Sequence, residues 1–421
     1  EYGQELRRYL LENLNILQII DFKDVEVFPD ITIYTLIFLA EKSKKRGQIF
    51  CVTAKRKQEQ FLKSVNKNLS KDRLAHQAYE LFRIEQNSLS SDNWTLVPQN
   101  YTSIFNHLQK VKTSNLGNED IADVLTGTYG GYDKCFMVKV LGEETPGLVR
   151  IRNQDNKEYV VEKDILVKIF RGKDVKKWIN QWRGWFIFYP YKKIKDKSLC
   201  FTEDELRHKY PNTYSYFKLY RKELNDRMDS RKKISELDRP WFSLNRPGLF
   251  RMKDEIKIMT PCVTHKNNFS LDEENHLWVV GTNYGIFLKN PNYKLILGIL
   301  NSSLIEFYLK NKAPVKAGGF YQYMGNILKD IPIKLPSTAQ EKEIEGKIID
   351  TVDEILALAK KGGGQIKIKD EFNKLIKQSL ATKLIKSPLI EKISISSDKI
   401  SELRKDKNKL FINLTDFIEV K

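Results

Sequence analysis

Residues 168–257 carry the strongest chemical signal of the chain, because basic and aromatic side chains are interleaved there. This segment contains 24 Lys and Arg against 12 Asp and Glu, together with 17 of the 47 aromatic residues. The complete chain of 421 residues has 72 Lys and Arg against 54 Asp and Glu, a net charge of +18. Basic side chains neutralise phosphates, and flat rings stack on exposed bases. The pattern therefore indicates a surface for a polyanion, with nucleic acid as the first candidate.

The motifs for covalent chemistry on a nucleic acid are absent from the sequence. Methyl transfer to an exocyclic amine needs a Gly-rich cofactor turn and an Asn/Asp-Pro-Pro-aromatic loop. Residues 290–293 (NPNY) have a single proline, and the glycines of 127–131 lack the dinucleotide spacing. Nuclease-like Glu-x-Lys triplets at 255–257 and 345–347 are expected by chance. Five histidines without an HxxxH pair and four cysteines without a CxxC pair indicate no metal site. We therefore assign no catalytic and no metal-binding residue.

The cysteines and the hydropathy predict a cytoplasmic protein without membrane contact. The four cysteines lie far apart, which favours free thiols over a disulfide framework. The longest apolar run, residues 31–40 (ITIYTLIFLA), is half of the ~20 residues that a membrane helix needs, and its composition predicts a buried strand. Residue 1 is Glu and no signal sequence precedes the folded pattern, so the chain is expected to be part of a longer protein.

The spacing of the apolar residues predicts an α+β fold class in three segments. Residues 1–92 alternate a helical period at 6–14 with strand periods at 16–22, 31–39 and 48–53, as at the end of an α/β domain. Its sheet has too few strands to close its own core, so we expect an upstream part to complete it. The polar stretch NSLSSDN, which begins at Asn87, predicts the boundary.

The second segment, residues 93–336, changes to many short β-type runs, with helices near 102–113 and 210–226. It predicts a mixed, mainly β module with inserted helices. In the third segment, a capping box of Ser337 with Gln340 and apolar residues at helical spacing predict a helix to about residue 360. The rest of residues 337–421 is mostly helical in pattern.

Several sequence strings occur in an order that resembles a known family. They are DIADVLTG at 120–127, KIFRGKDV at 168–175, WFIFYPY at 185–191, YRKELNDR at 220–227 followed by RPWF at 239–242, LNSSLIEFY at 300–308 and IPIKLP at 331–336. In this order they resemble the C-terminal specificity region of the TaqI-like adenine-specific DNA methyltransferases, which include the type IIG restriction-modification enzymes. RYLLEN at 8–13, with IIDF at 19–22 and VFPD at 27–30, resembles the last helix and strands of that family's catalytic domain.

The resemblance implies a division of labour between this chain and an upstream part. Residues 1–92 would be the C-terminal remnant of the α/β methyltransferase domain, 93–336 the DNA target-recognition domain, and 337–421 a helical tail. The catalytic motifs and the cofactor, S-adenosylmethionine in this family, would belong upstream, so this chain would hold no cofactor. The expected partners are double-stranded DNA and the upstream methyltransferase domain, and the expected role is sequence-specific DNA binding.

Two sets of side chains are candidates for contact with this DNA. Arginine pairs two donors with guanine, and residues beside turns can project into a groove. The candidates for base reading are Arg171, Arg246, His265 and Lys266, followed by Tyr129, Tyr132, Tyr321 and Gln322. The candidates for phosphate contact are Lys173, Lys176, Lys177, Lys192, Lys193, Arg231, Lys232 and Lys233. For Arg171 a salt bridge to Asp174 is an equally good interpretation, and each cation alone is typical of a solvated surface.

Three other functions remain open at this point. A specificity subunit of a type I restriction system has similar recognition modules, although usually two of them, separated by long helices. A single-strand DNA- or RNA-binding protein would also use basic and aromatic residues. A nuclease would need metal-dependent activity at Glu255 or Glu345.

Overall fold

The architecture was taken from a computed structural model of the chain. It describes residues 2–23, 25, 27–28, 35–43, 45–55, 61–91, 94, 96–195, 197–290, 292–316, 318–361, 400–406 and 409–414. The chain divides into two compact units, residues 1–352 and residues 353–421.

Residues 1–92 contain a five-stranded mixed sheet. The elements are α1 (Tyr2–Asn13), β1 (Asn15–Asp21), β2 (Leu36–Glu41), β3 (Gln48–Ala54), α2 (Phe61–Asn66), β4 (Arg73–Ala75) and β5 (Tyr79–Glu85). The strand order is β2-β1-β3-β5-β4, with β1 parallel to β3 and the other pairs antiparallel. The helix at 6–14 and the strands at 16–22 and 48–53 are thus confirmed.

Strands β1 and β3 lie in the middle of this sheet and are buried on both faces. Ile19 and Cys51 pack on one side, whereas Ile20 and Val52 pack on the other, since successive side chains alternate. Such strands read as continuous apolar runs, which explains why sequence periodicity located them.

The prediction of a buried strand at 31–40 is wrong in its described part. Strand β2 is the outer strand of the sheet, and Leu36, Ile37 and Leu39 are exposed. An apolar, β-branched run predicts a strand, but it does not tell a central strand from an edge strand. Residues 31–34 of the run lie outside the described ranges.

Residues 93–336 form a larger mixed assembly of short strands and helices. Its helices are α3 (Gln99–Val111), α4 (Asp133–Phe136), α5 (Glu203–Lys209), α6 (Pro211–Lys218), α7 (Arg221–Asp226), α8 (Tyr293–Leu300), α9 (Ser303–Lys312) and α10 (Gly325–Lys329). Its strands are β6 (Ser114–Asn115), β7 (Ala122–Thr126), β8 (Met137–Thr145), β9 (Leu148–Arg152), β10 (Glu158–Glu162), β11 (Leu166–Phe170), β12 (Trp185–Phe188), β13 (Tyr191–Ile194), β14 (Lys197–Cys200), β15 (Met228–Asp229), β16 (Lys232–Lys233), β17 (Lys257–Pro261), β18 (Val263–Thr264), β19 (Ser270–Asp272), β20 (Leu277–Trp278), β21 (Asn283–Leu288), β22 (Val315–Lys316), β23 (Phe320–Gln322) and β24 (Pro332–Ile333).

Three sheets organise this segment. A six-stranded sheet has the order β10-β9-β8-β12-β11-β20, a four-stranded sheet the order β19-β17-β21-β7, and a three-stranded sheet the order β18-β23-β22. The mixed α+β class and the helices predicted near 102–113 and 210–226 are confirmed. Because most of these strands are short, many loops connect them at the surface.

The aromatic residues of 168–257 mainly build the core of this segment. Thirteen of the 17 are buried, and the other four, Trp178, Trp182, Trp185 and Phe186, are half-buried. The ring of Phe217 on α6, for example, lies 5.6 Å from Phe136 and 5.0 Å from Phe188. Most aromatic rings of this segment therefore stabilise the fold, and its Lys and Arg side chains form the charged surface.

The third segment differs from its prediction in two places. The last helix, α11 (Ala339–Lys361), is confirmed, but its capping box is Thr338 with Glu341, because Thr338 Oγ1 accepts the Glu341 N–H at 3.2 Å and Glu341 returns the bond. The prediction of a mostly helical tail is wrong for residues 400–406 and 409–414, where β25 (Ile400–Asp406) and β26 (Lys409–Leu414) pair as antiparallel strands, and the rest of the predicted tail after residue 361 lies outside the described ranges.

The predicted free thiols are confirmed. All four cysteines are free, and Cys51, Cys135 and Cys262 are buried. Burial raises the pKa of Cys51 to about 12, so that this thiol stays protonated and unreactive at neutral pH. None of the helices in the described ranges has the length and apolar character required to cross a bilayer.

Candidate functional site

A cleft of about 800 Å³ opens where loops from the six-stranded and three-stranded sheets meet. Its five basic side chains are Arg171, Lys173, Lys176, Arg183 and Lys266, and the imidazole of His265 lies beside them. Two rings, Trp185 and Phe320, contribute apolar walls, and Asp174 is the one acidic residue among the described residues that line it. A volume of this size is typical of a ligand site, and the excess of cations selects an anion.

The loop after β11 forms one wall and is fixed by the buried carboxylate of Asp174. The Asp174 side chain is fully buried and accepts the backbone N–H of Arg171 at 2.8 Å. The Gln181 N–H donates to the Asp174 carbonyl at 2.7 Å. Burial raises the pKa of Asp174, which the Arg171 N–H and the charge of Arg183 oppose. These contacts hold Lys173 and Lys176 at the rim of the cleft.

The interpretation of Arg171 as a salt-bridge partner of Asp174 is not what the structure shows. The guanidinium of Arg171 lies over the ring of Trp185, 5.4 Å from its centroid, and Asp174 contacts Arg171 through the backbone. The ion-pair partner of Asp174 is Arg183, at 3.4 Å. The Arg171 side chain is exposed and has no carboxylate partner among the described residues.

The opposite wall carries His265 and Lys266 in the loop after β18. The His265 ring packs on Phe320 with centroids 3.6 Å apart, and Thr264 Oγ1 donates to the Lys266 carbonyl at 2.7 Å. Pairing of β18 with β23 places Gln322 opposite Val263 and Tyr321 opposite Thr264, which brings these two candidates to the same wall.

Lys177 lies close to this group and is half-buried. Burial lowers its pKa, the attraction of Glu306 opposes this, and the repulsion of Lys266 adds to it. Lys177 and Lys266 are therefore neighbouring like charges, which is unfavourable without an anion between them.

A second group of candidates lies on a β-bridge between Tyr129 and Arg246. Their backbones exchange hydrogen bonds of 2.8 and 2.9 Å, and Thr128 Oγ1 donates to the Arg246 carbonyl at 2.7 Å. Both side chains are exposed, and the Arg246 guanidinium has no partner within the described part of the chain. The Val280 N–H donates to the Thr128 carbonyl, and Gly281, the next residue, lines the cleft, so the two groups adjoin.

One buried arginine that the sequence analysis did not single out fixes this second group. Arg227 is 6% exposed, and its guanidinium donates to the carbonyls of Leu224, Trp241, Ser243 and Gly130 and to Oδ1 of Asn245. All five acceptors are uncharged, and burial lowers the pKa of Arg227 to about 10. Composition alone predicts an exposed arginine, and the sequence signal that marked this position was the resemblance of residues 220–227 to the family's Leu-x-x-Arg helix.

A buried charged cluster that the sequence analysis also missed lies behind the cleft. Lys257 Nζ is 2.8 Å from Asp272, which also accepts the ring and backbone N–H of His276, at 2.8 and 2.9 Å. The His276 ring stacks on Phe170, the residue before Arg171, at 4.0 Å. Burial by itself would raise the pKa of Asp272, but the hydrogen bond from His276 and the charge of Lys257 lower it.

The remaining candidates lie elsewhere. Tyr132 is half-buried against Tyr220 at the start of α4. On the β13–β14 hairpin, Lys192 pairs with Glu205 and Lys193 with Asp254. On the β15–β16 hairpin, Lys233 pairs with Asp226, whereas the exposed Arg231 and Lys232 have no side-chain partner among the described residues.

No cluster of three or more His, Cys, Asp and Glu suited to a metal ion occurs among the residues that the structure describes. S-adenosylmethionine does not fit the cleft either, since its sulfonium is positively charged and would face five basic side chains.

Residues 167–333 match the family described as the TaqI-like C-terminal specificity domain. The type II restriction enzyme and methyltransferase RM.Eco57I of Escherichia coli is 24% identical over 374 residues, which cover 83% of this chain and 35% of that protein. The type II methyltransferase M.BanIII of Aneurinibacillus aneurinilyticus is 21% identical over 401 residues, which cover 89% of this chain and 64% of that protein.

Among solved structures, the type IIL restriction-modification enzyme MmeI in complex with DNA aligns with a TM-score of 0.48 and 12% identity, over 93% of this chain and 46% of that chain. The chain thus spans less than two thirds of each of these proteins. The matched segment contains the residues that line the cleft, Arg227 and four of its five acceptors, and the curated relatives are a type II restriction enzyme and methyltransferase and a type II methyltransferase. Residues 167–333 are therefore similar to the TaqI-like C-terminal specificity domain.

Proposed function

We propose that residues 93–336 are the DNA target-recognition domain of an S-adenosylmethionine-dependent, adenine-specific DNA methyltransferase, and that they bind one short double-stranded sequence. In this proposal residues 1–92 belong to the methyltransferase domain, and the cofactor binds in a part of the protein outside this sequence. The observation that carries the proposal is the cleft, where five basic side chains face one acidic residue that is itself buried.

The pairing of the cations separates this cleft from the basic β13–β14 hairpin. Lys173, Lys176 and Lys266 have no carboxylate partner among the described residues, whereas Lys192 and Lys193 each contact one. Unpaired cations held close together repel one another, and DNA phosphates relieve that repulsion while releasing counterions. The cleft lysines are therefore our phosphate contacts.

Base reading is assigned to the side chains that share the cleft with these lysines or adjoin it. Arg171, stacked on Trp185, presents a guanidinium with a restricted direction, which favours bidentate contact with guanine. Arg246 on the neighbouring bridge is exposed and unpaired within the described ranges. Phosphate contacts position the duplex, and these side chains then select the sequence.

The test is DNA binding by the full chain, measured by fluorescence anisotropy after selection from a randomised duplex pool. We expect one short preferred sequence and an affinity that falls steeply with salt. The double variant Lys173→Ala/Lys176→Ala should reduce the slope of log K against log salt by about 1.8, or about 0.9 for each phosphate contact. The matched control, Lys192→Ala/Lys193→Ala, removes the same charge from paired lysines and should leave the slope nearly unchanged.

Three outcomes contradict the proposal. Equal affinity for every duplex in the pool removes the claim of specificity, and equal slopes for the two double variants remove the claim for the cleft. Tighter binding to single-stranded competitors than to duplexes would favour a single-strand-binding protein instead.

A further inference from the structure

Arg183 lies on the wall of the cleft and forms an ion pair with the buried carboxylate of Asp174. Its Nε is 3.4 Å from Oδ1 of Asp174, and the Arg183 side chain is 52% exposed, whereas that of Asp174 is not exposed at all. The sequence analysis did not single out Arg183, because it follows Trp182 in a segment without a motif.

The contact with Asp174 involves only the Nε side of the Arg183 guanidinium. Asp174 takes the Nε side, and the two terminal Nη groups have no partner among the described residues. The backbone on either side is also fixed, since the Trp182 indole N–H donates to the Trp185 carbonyl at 3.0 Å and Gly184 turns the chain with φ of +77°. Arg183, which lines the cleft, therefore has its two terminal donor groups available to a ligand bound there.

A fork of two donors matches the O6 and N7 acceptors of guanine in the major groove, and no other base edge offers the same pair. A free arginine loses much side-chain entropy when it binds, whereas an arginine already held by a carboxylate loses less. Asp174 Oδ1 accepts no hydrogen bond in the described part of the chain, so Asp174 holds Arg183 by charge at 3.4 Å, and the charge of Arg171 also acts on this carboxylate.

We propose that Arg183 is a specificity-determining residue that reads one guanine of the recognised duplex, and that Asp174 is its positioning residue. This inference rests on the proposed function, because it names the contact by which the same cleft selects its sequence.

The experiment couples a change in the protein to a change in the DNA. The full chain and Arg183→Ala are titrated with the selected duplex and with copies in which 7-deazaguanine, which lacks the N7 acceptor, replaces each guanine in turn. We expect the unchanged chain to lose about 10-fold or more at one guanine, and Arg183→Ala to be insensitive at that guanine alone. Arg183→Lys, which keeps the charge without the fork, should behave like Arg183→Ala.

Two further variants complete the test. Asp174→Asn should weaken target binding, and adding it to Arg183→Ala should cause no further loss, since both act on the same contact. The matched control is Arg152→Ala, an exposed arginine paired with Glu158 on another part of the six-stranded sheet, which should keep full sensitivity at every guanine.

The outcomes separate this inference from the proposed function. If the unchanged chain selects no sequence, the proposed function fails. If it selects a sequence but Arg183→Ala keeps sensitivity to 7-deazaguanine at every position, or weakens all duplexes equally, the inference for Arg183 is overturned while the proposed function stands.

Discussion

Replacing Arg227 by methionine should destabilise the folded segment of residues 93–336 strongly. The change removes five hydrogen bonds and leaves the carbonyls of Trp241 and Ser243, among others, buried without a donor. Hydrogen bonds to a charged group contribute about 1.5–3 kcal/mol each, and releasing the guanidinium from burial offsets part of that loss. We expect the free energy of unfolding to fall by about 4 kcal/mol.

The same substitution should also affect recognition, because the acceptors lie on the loops that carry Tyr129 and Arg246. Gly130 is next to Tyr129 and Asn245 is next to Arg246, so loss of the guanidinium releases both sides of their bridge. We expect the remaining folded protein to lose target preference at the base pairs where an Arg246→Ala variant loses it, with little change in non-specific binding.

The assay is urea unfolding followed by near-ultraviolet circular dichroism, together with duplex binding at a temperature where the variant is folded. Arg152→Met is the matched control, since it removes an equal charge from an exposed ion pair and should cost below about 1 kcal/mol. Arg227→Lys, with three donors for five acceptors, should fall between them. A loss below about 1 kcal/mol for Arg227→Met, well under the estimate from the lost hydrogen bonds, would refute the reasoning.

Three further predictions concern stability. Lys257→Met should lower the free energy of unfolding by about 3 kcal/mol in urea, because it leaves the carboxylate of Asp272 buried without its cation, and an unchanged midpoint would contradict this. The pKa of Asp272 is lower in the folded protein than its ordinary value of 3.8. Its contribution to the free energy of unfolding should therefore be complete above that pH and disappear as the pH falls further. Asp272→Asn should remove this part of the pH dependence of unfolding. Gly131→Ala should lower the melting temperature, since Gly131 has φ of +82° and a Cβ would strike Asn245; a melting temperature equal to that of the unchanged chain would count against it.

The sequence predicted well those elements whose residues carry a local signal. Strands β1 and β3 are continuous apolar runs, α11 has an apolar stripe at helical spacing, and the cluster of unpaired lysines beside Arg171 follows from charge and turn residues. An apolar run does not distinguish an edge strand of a sheet from a central strand, and so the buried position predicted for β2 was wrong. The observed capping box lies one residue after the predicted one. Ser337 and Thr338 both carry a hydroxyl that contacts Glu341, and it is the Thr338 hydroxyl that accepts the Glu341 N–H as the helix cap.

The sequence by itself was sufficient to determine the mixed α+β fold class, the basic character of the chain and the segment where basic residues concentrate, since these depend on residue types and their order. Tertiary structure alone decided which cations share the cleft, which of them pair with Asp or Glu, and which arginines are buried or positioned by a buried carboxylate. Arg183 and Asp174 are nine residues apart in sequence, and Arg227 binds acceptors up to 97 residues away. Electrostatic and hydrogen-bond contacts act over a few ångströms in space, so their partners are determined only when the chain has folded.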